Sequence, residues 1–452
     1  PGATNLVTGT ATAYMDSIPV VAITGNVTRN LLGLDSFQEV DITGITMPVT
    51  KHNYIVKDIR DLASILREAF QIANSGRKGP VLVDIPKDIT AQTCAYEKQP
   101  PLPLAECGLP PQERLAQALE LLNRAERPFV YCGGGVVLSE ASEALSAFVE
   151  KLDAPVSCSL MCQGGFDQAS PRYMGMLGMH GTKTAALAIQ NCDLFIAVGT
   201  RFSDRVLCNA GLFARHCPIL QIDIDSAEFN KNIEVDLRLR GDAKEILNTL
   251  QGMLETKDHR AWMADVASWK QAYPLRQVSP SQDGVTPQEV LETLNRLTGS
   301  QAIIATEVGQ HQMWAAQFYT YRTPRQFISS GGLGTMGFGL GAAIGAQVAN
   351  PGKRVVNIAG DGSFHMNCNE LSTLAANQIP VIELIFNNTV LGMVRQWQKL
   401  FYENRFSQTD LDHTTDFPLL AKAFGVKALV IEKKADIEPV LREALAGGVP
   451  VL

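Results

Sequence analysis

The stretch RVVNIAGDGS, residues 354–363, is an apolar, β-branched run that ends in the tripeptide GDG at residues 360–362. A second apolar run, residues 380–388, ends in two asparagines. Glycine permits a tight turn in which backbone N–H groups approach phosphate oxygens, and the oxygens of Asp361 and Asn388 are hard ligands of the kind that Mg²⁺ prefers. A GDG turn alone also fits an ordinary helix cap. The two strand ends together favour a site for a diphosphate and a metal ion.

The same strand pattern recurs along the chain. Apolar, β-branched runs end at or next to a Gly, Pro, Asp or Asn at residues 19–26, 79–86, 127–134, 193–200, 218–225, 354–362 and 380–388. We predict that these runs are strands buried on both faces. Helical patterns such as residues 58–74 separate them. This alternation predicts an α/β fold of doubly wound parallel sheets, which bind ligands beyond the carboxyl ends of their strands.

Two segments interrupt the alternation and divide the chain. Residues 95–111 are rich in proline and residues 259–284 are polar, so we predict that both are linkers. The second linker leads into TPQE, residues 286–289, where a threonine cap, a proline in the first turn and a glutamate form a capping box that starts a helix. We therefore expect three doubly wound α/β domains, over residues 1–95, 112–258 and 284–452.

Composition argues against several classes of protein. The 452 residues carry 39 Lys and Arg against 46 Asp and Glu, a net charge of −7, without a basic cluster, so a nucleic-acid partner is not expected. No apolar run is long enough to predict a membrane span. Nine cysteines without a C-x-x-C pair indicate reduced thiols and a cytoplasmic location. Spacing predicts no zinc site among the histidines, which are His52, His180, His216, His259, His311, His365 and His413.

The GDG and NN pair, with 24 residues between its two parts, resembles the motif of thiamine diphosphate enzymes. Within that class the chain resembles, from Pro1 to Leu452, the catalytic large subunit of the acetohydroxyacid synthase, or acetolactate synthase, family. The similar stretches include GATN at 2–5, FQE at 37–39, GPVLVD at 79–84, GMLGMHG at 175–181, RFSDR at 201–205 and MVRQWQ at 393–398. The resemblance implies that the three expected domains bind the cofactor pyrimidine, FAD, and the diphosphate with Mg²⁺, in chain order.

The resemblance also implies which residues hold thiamine diphosphate and Mg²⁺. Met336 would prop the cofactor in its bent shape, although a methionine in an apolar, glycine-rich run is more often part of a core. The metal ligands would be Asp361, Asn388 and Val390. The residues that bind the cofactor would be Val308, Gly309, Gln310, His311, Gly334, Met336, Gly360, Asp361, Gly362, Ser363, Asn388, Val390, Gly392, Met393 and Val394.

A substrate channel is implied in the same way. Arg205 suits the carboxylate of an incoming acid, and Trp397 would line the pocket for the second 2-oxo acid, where an apolar face favours 2-oxobutyrate over pyruvate. Its sequence context alone makes Trp397 a partly exposed aromatic residue on a helix. The catalytic and channel residues implied by the resemblance are Phe37, Gln38, Lys87, Met179, Arg205, Met336 and Trp397.

For the central domain the resemblance implies FAD in a structural role. The glycine triplet at residues 133–135 follows a predicted strand but lacks the full G-x-G-x-x-G spacing, so by itself it is a weak signal. An inert scaffold that has kept the fold is an alternative. The FAD-binding residues would be Arg77, Gly133, Gly134, Gly135, Ser159, Leu160, Leu177, Gly178, Met179, His180, Gly199, Thr200, Arg201, Arg205, Asp223, Ile224 and Asp242.

The implied activity is a decarboxylating condensation of pyruvate with pyruvate or 2-oxobutyrate, which gives 2-acetolactate or 2-aceto-2-hydroxybutyrate for branched-chain amino acid biosynthesis. A homodimer or tetramer and a regulatory small subunit are expected. The family's glutamate that bonds the cofactor pyrimidine would precede Pro1, so we expect a chain truncated at both ends, and weakly active or inactive by itself. Another thiamine diphosphate enzyme, such as a pyruvate oxidase or a glyoxylate carboligase, and a non-catalytic scaffold are alternatives.

Overall fold

The computed structural model describes residues 1–105, 107–211, 213–277, 284–411 and 415–452. Their strands form three parallel sheets, so the predicted α/β class is confirmed. Residues 1–108 with 331–334 make up one compact unit, and residues 109–330 with 335–452 make up a second. Within the described part of the chain, no helix is both long enough and apolar enough to cross a membrane.

The first unit contains a three-stranded sheet in the order β1-β3-β2. Its elements are α1 (Gly2–Met15), β1 (Val21–Asn26), α2 (Ile42–Thr46), β2 (His52–Ile55), α3 (Leu62–Asn74), β3 (Val81–Pro86) and α4 (Lys87–Thr90). The central strand β3 is almost wholly buried. Helix α3 packs on it through the buried Ala69 and Ala73, because apolar residues recur along one face of this helix at helical spacing.

The exposure of β1 corrects the prediction that this strand is buried on both faces. β1 lies at an edge of its sheet, where Thr24 is its one buried residue and Ile23 is 58% exposed. The Thr24 hydroxyl and the Asn26 amide donate hydrogen bonds of 2.7 and 2.6 Å to the carboxylate of Asp84 on β3. An apolar run shows that a segment is a strand, but sheet topology decides whether both of its faces are covered.

The second unit begins with a six-stranded sheet in the order β6-β5-β4-β7-β8-β9. Its elements are α5 (Gln112–Arg124), β4 (Pro128–Cys132), α6 (Gly134–Leu138), α7 (Ser142–Leu152), β5 (Val156–Cys158), β6 (Tyr173–Met176), α8 (Lys183–Asn191), β7 (Leu194–Val198), α9 (Asp204–Leu207), β8 (Ile219–Asp223), β9 (Leu237–Arg240), α10 (Ala243–Met253) and α11 (Arg260–Ala272). Strands β4, β5, β7 and β8 are buried throughout. Alternate residues of these strands point to opposite faces of the sheet and belong to two apolar clusters. Val130 and Ile196 belong to one cluster, and Phe129 and Phe195 belong to the other, so helices cover both faces.

Helix α11 corrects the prediction of a linker over residues 259–284. Three residues at helical spacing, Trp262, Val266 and Trp269, pack against the apolar cluster around Phe195. The Trp262 indole donates a 3.0 Å hydrogen bond to the Pro128 carbonyl oxygen. The polar residues of this segment occupy the other face of the helix, which made the stretch look like a linker. Its part at residues 278–283 lies outside the described residues.

The third sheet has the order β11-β10-β12-β13. Its elements are α12 (Pro287–Thr298), β10 (Ile303–Thr306), α13 (Gln310–Phe318), β11 (Phe327–Ile328), α14 (Gly339–Ala349), β12 (Val355–Gly360), α15 (Asp361–Phe364), α16 (Leu371–Asn377), β13 (Ile382–Phe386), α17 (Gly392–Phe401), α18 (Phe417–Ala423) and α19 (Ile437–Ala446). The capping box before α12 is confirmed, because Thr286 Oγ1 accepts from the Glu289 backbone N–H and the Glu289 carboxylate accepts from the Thr286 backbone N–H. β12 is the central strand that aligns the loops after β10 and β13.

Candidate active site

The GDG and NN segments meet at the carboxyl edge of the third sheet. β12 and β13 are parallel neighbours with Gly360 opposite Phe386, so the residues that follow the two strands emerge side by side. Asp361 joins them: its Oδ1 accepts from the Gly362 N–H at 2.9 Å and its Oδ2 accepts from the Thr389 N–H at 2.6 Å. One carboxylate therefore organises both segments.

A pocket opens at this edge. Every residue expected to bind thiamine diphosphate lines it except Gly334, which belongs to the first unit. The pocket is lined by Val308, Gly309, Gln310, His311, Trp314, Met336, Gly360, Asp361, Gly362, Ser363, Phe386, Asn388, Val390, Leu391, Gly392, Met393 and Val394. Trp314, Phe386 and Leu391 were not foreseen, although each lies within three residues of a predicted one along the chain.

Close packing explains two of the pocket glycines. A Cβ atom on Gly360 would lie 2.7 Å from Nδ1 of His311, and a Cβ atom on Gly392 would overlap the Gln310 side chain. His311 itself is 5% exposed, and burial lowers its pKa to about 3, so the ring is neutral at physiological pH. Its Nε2 atom is buried and has no hydrogen-bond partner among the described residues. The pocket thus contains a neutral imidazole with unused hydrogen-bonding capacity.

Glu307 holds two segments of the pocket in place through hydrogen bonds. The sequence analysis did not predict this residue. It is fully buried just after β10, and its Oε2 accepts hydrogen bonds from the Gly337 N–H at 2.7 Å and the Ser363 hydroxyl at 2.8 Å. Its Oε1 accepts from the Leu340 N–H at 3.1 Å. Burial raises the Glu307 pKa, and these hydrogen bonds oppose that rise. A single side chain therefore ties the Met336 loop to the GDG helix.

A second buried carboxyl lies deeper in the same sheet. Glu383 of β13 is 1% exposed, and the side-chain amide of Asn357 on β12 donates to both of its oxygens at 2.9 Å. Burial raises the Glu383 pKa well above its ordinary value, and the nearby Glu307 raises it further. Both effects favour the protonated form of this acidic residue. The sequence around Glu383 is an apolar strand and does not indicate that Asn357 is its hydrogen-bond partner.

A neighbouring pocket is lined by two of the predicted channel residues, and a third contacts one of them. The Arg205 guanidinium carbon lies 5.0 Å from the centre of the Trp397 ring, and Arg205 Nη1 lies 3.9 Å from the Met179 sulfur. This pocket shares two lining residues with the first pocket, so the two adjoin. Its lining residues are Arg205, Met393, Val394, Trp397, Gln398, Tyr402 and Arg405. A cation stacked on an aromatic face can meet a carboxylate and an alkyl group side by side.

The predicted flavin residues of the second unit lie along the carboxyl edge of the six-stranded sheet. Strand order reverses between β4 and β7, and the glycine triplet follows β4 while Gly199 follows β7. The Gly133 N–H donates to the Val198 oxygen at 2.8 Å and the Gly135 N–H donates to the Gly199 oxygen at 3.0 Å. A crevice at such a reversal is where doubly wound sheets bind nucleotides.

Local packing accounts for part of the flavin prediction. A Cβ atom on Gly135 would lie 2.7 Å from the Gly199 Cα, so a glycine at this position is needed for close approach of two loops. The Asp242 carboxylate caps α10 by accepting from the Lys244 N–H at 2.8 Å. The Met179 N–H donates to the Arg205 oxygen at 2.8 Å, which brings the 177–180 and 201–205 segments together.

Other predicted site residues belong to the first unit. Phe37 is 89% exposed, Gln38 has a φ of 64°, and the Arg77 guanidinium donates a 2.9 Å hydrogen bond to the Ser17 hydroxyl. Lys87 starts α4 directly after β3. The roles of these residues, and of Gly334, stay predictions.

One histidine lies in a group of possible metal ligands. His216 lies beside Cys192 and Cys217, with ligand atoms from all three residues within 4.8 Å of one another. The two cysteines are 25 residues apart in sequence, so spacing could not reveal the group. His413 lies outside the described residues.

Comparison with known protein families defines the class. Models of the thiamine pyrophosphate (thiamine diphosphate) enzymes match three parts of the chain: the N-terminal TPP binding domain at residues 1–45, the central domain at 115–250 and the C-terminal TPP binding domain at 307–452. The last of these spans all residues of the first pocket. The chain is therefore similar to this class along most of its length.

Individual relatives narrow the class. The chain is 46% identical to an acetolactate synthase large subunit of Mycobacterium tuberculosis, over 99% of this chain and 74% of the relative. It is 45% identical to the acetolactate synthase isozyme 2 large subunit of Escherichia coli, over 100% of this chain and 82% of the relative. A probable large subunit of Methanocaldococcus jannaschii is 44% identical, over 100% and 79%. The chain belongs to the acetolactate synthase large-subunit family of thiamine diphosphate enzymes.

Proposed function

We propose that this chain catalyses the decarboxylating condensation of pyruvate with a second 2-oxo acid, pyruvate or 2-oxobutyrate. The products are 2-acetolactate or 2-aceto-2-hydroxybutyrate, precursors of the branched-chain amino acids. The observation that carries the proposal is the contact of the Asp361 carboxylate with the Thr389 N–H, which unites the two cofactor motifs at one pocket. Membership of the acetolactate synthase family supports the choice of reaction.

Mg²⁺ is part of the proposal. The Asp361 carboxylate, the Asn388 side-chain oxygen and the Val390 backbone oxygen would hold it, an all-oxygen set of the kind this ion prefers. Each Asp361 oxygen accepts one backbone N–H and keeps a further lone pair. The residues present therefore fit a magnesium ion beside a diphosphate group.

Bound thiamine diphosphate would supply the electron sink that lets a 2-oxo acid lose CO₂. The chain's own residues orient the reactants. Met336 supports the cofactor from the pocket wall, and the neutral His311 offers an uncharged polar group there. Arg205 holds the carboxylate of the second acid, and Trp397 contacts its alkyl group.

FAD in the second unit is a further part of the proposal. The reversal of strand order between β4 and β7 supports it, together with the loops of Gly133, Gly199 and Asp223 that share this edge. The flavin has a structural role in this reaction, because the condensation transfers no electrons to it. Assembly as a homodimer or tetramer, a regulatory small subunit and domain limits at 1–95, 112–258 and 284–452 complete the proposal.

The test is acetolactate formation from pyruvate by the full-length protein, with thiamine diphosphate, Mg²⁺ and FAD omitted in turn. We expect a product that requires thiamine diphosphate and Mg²⁺, and a flavin that stays oxidised. Asp361→Ala should abolish the product. The exposed Asp258, which pairs with Arg260, gives the matched control Asp258→Ala, which should retain activity.

Three results would contradict the proposal. Binding of all three cofactors without formation of acetolactate would rule out the synthase reaction. Reduction of the flavin by pyruvate, with consumption of O₂, would favour an oxidase. Absence of Mg²⁺-dependent binding of thiamine diphosphate would favour a scaffold without activity.

A further inference from the structure

Two cysteines meet at the amino-terminal ends of β7 and β8, opposite the edge that carries Gly199. Cys192 and Cys217 each precede their strand by two residues, and Phe195 pairs with Ile219 in the register of these strands. Parallel neighbours in this register hold the two residues side by side. Their sulfurs are 3.7 Å apart, and the two residues are 2% and 8% exposed.

A histidine completes the group. His216 directly precedes Cys217 and is exposed, and its Nε2–H donates a 3.1 Å hydrogen bond to the Cys192 carbonyl oxygen. One ligand atom from each of the three residues lies within 4.8 Å of the other two. The group thus presents two buried sulfurs and one nitrogen on the solvent side.

The separation of the sulfurs matches a tetrahedral metal ion. Zinc–sulfur bonds of about 2.3 Å at a tetrahedral angle place two thiolates about 3.8 Å apart. Two sulfurs and an imidazole nitrogen are ligands that zinc prefers, and a water molecule can fill a fourth position. We propose that Cys192, His216 and Cys217 form a zinc-binding site.

The surroundings of the group favour a cation and a fixed geometry. Both oxygens of Asp193 accept 2.8 Å hydrogen bonds, from the Glu126 and Arg127 N–H groups. Asp236 accepts a 2.8 Å hydrogen bond from the Ile219 N–H. These carboxylates anchor the strand ends next to the two cysteines and add negative charge there. Binding of Zn²⁺ displaces the two thiol protons to solvent and involves no oxidation.

The position of the site indicates a structural role. It lies at the end of β7 and β8 opposite Gly199 and Asp223, so the ion does not contact the expected cofactors. The ion links the end of α8 to the segment before β8, because Cys192 caps α8 and Cys217 precedes Ile219. We therefore expect zinc to raise thermal stability and to leave acetolactate formation unchanged.

The experiment is a titration of the reduced, full-length protein with Co²⁺, in saturating Mg²⁺, followed by competition with Zn²⁺. Thiolate ligands give cobalt a charge-transfer band in the near ultraviolet, which an oxygen site such as Asp361 does not. We expect one equivalent of cobalt with this band. Loss of a residue that only supports a metal ligand weakens metal binding about 10- to 100-fold. We expect a larger loss of cobalt affinity in each of the variants Cys192→Ser, Cys217→Ser and His216→Ala.

Cys208→Ser is the matched control, because Cys208 is an exposed cysteine on the segment that leads to His216. It should leave the band and the affinity unchanged. A second measurement needs no variant: zinc should raise the melting temperature of the wild-type protein. Absence of the band, equal weakening by Cys208→Ser, or a disulfide between Cys192 and Cys217 in zinc-treated protein would overturn the proposal.

Discussion

The Ser363 hydroxyl donates a 2.8 Å hydrogen bond to the fully buried carboxylate of Glu307. This contact joins the GDG helix, α15, to the end of β10. The same Glu307 oxygen accepts from the Gly337 N–H at 2.7 Å, directly after Met336. The residue that supports the cofactor and the motif that holds its diphosphate therefore share one buried anchor. Glu307 is a positioning residue, since it acts through these neighbours.

Removal of this anchor gives the first prediction. Glu307→Ala leaves the Gly337 and Leu340 N–H groups and the Ser363 hydroxyl without their acceptor, at about 1–3 kcal/mol for each unsatisfied buried group. We expect a lower melting temperature and a weaker apparent affinity for thiamine diphosphate. Glu307→Gln keeps one acceptor oxygen and should recover part of both. Thermal denaturation and titration of the cofactor measure the two effects.

The exposed Glu150 at the end of α7 is a matched control for this change. Glu150→Ala should alter neither quantity. If Glu307→Ala lowered the melting temperature and left cofactor affinity unchanged, the positioning role would be wrong and a purely structural role would stand.

The second prediction concerns pH and Glu383. Its pKa is raised in the folded protein, so the folded state binds a proton that the unfolded state releases above about pH 4.5. The stability from this proton is complete below the unfolded pKa and is lost as pH rises through the folded pKa. Glu383→Gln should therefore remove a negative slope of up to about 1.4 kcal/mol per pH unit above pH 4.5.

Urea denaturation of the wild-type protein and Glu383→Gln over a range of pH measures this slope. Glu307 lies near and also has a raised pKa, so part of the slope should survive in the variant. Glu150→Gln removes a surface carboxyl and should leave the Glu383 contribution in place. Identical slopes in the wild type and Glu383→Gln would show that Glu383 is ionised in the folded protein.

The sequence predicted features that depend on local pattern. Apolar runs located seven strands, which are β1, β3, β4, β7, β8, β12 and β13. Because parallel strands end at one edge, the meeting of Asp361 with the segment after Asn388 followed from two short motifs. The capping box before α12 also needs neighbouring residues alone. Family resemblance then supplied the pocket residues, such as Met336, that no local pattern singles out.

Features that depend on contacts between distant segments could not be predicted. Glu307 looks like any acidic residue after a strand until the loops of Gly337 and Ser363 fold onto it. Cys192 and Cys217 become neighbours through the pairing of β7 with β8. The exposure of β1 depends on its position at the edge of the sheet. The many polar residues of α11 made its sequence look like a linker, although three of its residues pack in the core.

The third prediction separates packing from flavin binding in the glycine triplet. A Cβ atom on Gly133 would lie 2.7 Å from the Thr200 Cα and closer still to Gly199, whereas a Cβ atom on Gly134 would lie 3.2 Å from the Met161 Cβ. Backbone atoms cannot move aside without a shift of β7. Gly133→Ala should therefore destabilise the protein without added flavin by about 1–3 kcal/mol or more, and Gly134→Ala by less.

Thermal denaturation of the two variants in the absence of FAD tests this difference. Equal melting temperatures of Gly133→Ala and Gly134→Ala would mean that the loops after β4 and β7 adjust to the added Cβ atom at little cost in stability. The triplet would then be required for a ligand rather than for packing.

The fourth prediction concerns the choice of the second 2-oxo acid. The Trp397 ring lies under the Arg205 guanidinium at 5.0 Å, so one side chain can bind a carboxylate while the other contacts the alkyl group next to it. The extra methylene of 2-oxobutyrate gains about 1–3 kcal/mol against an apolar wall. Trp397→Ala removes that wall and should reduce the preference for 2-oxobutyrate over pyruvate by about tenfold or more.

Competition between the two acids, read as the ratio of 2-aceto-2-hydroxybutyrate to 2-acetolactate, measures this preference. Trp397→Phe keeps an aromatic face and should retain most of it, which separates loss of the apolar contact from general damage to α17. Because Arg205 bonds the carboxylate that both acids share, Arg205→Gln should weaken both reactions and leave the ratio unchanged. A ratio that stays constant in Trp397→Ala would place the methylene of 2-oxobutyrate against a different wall of the pocket.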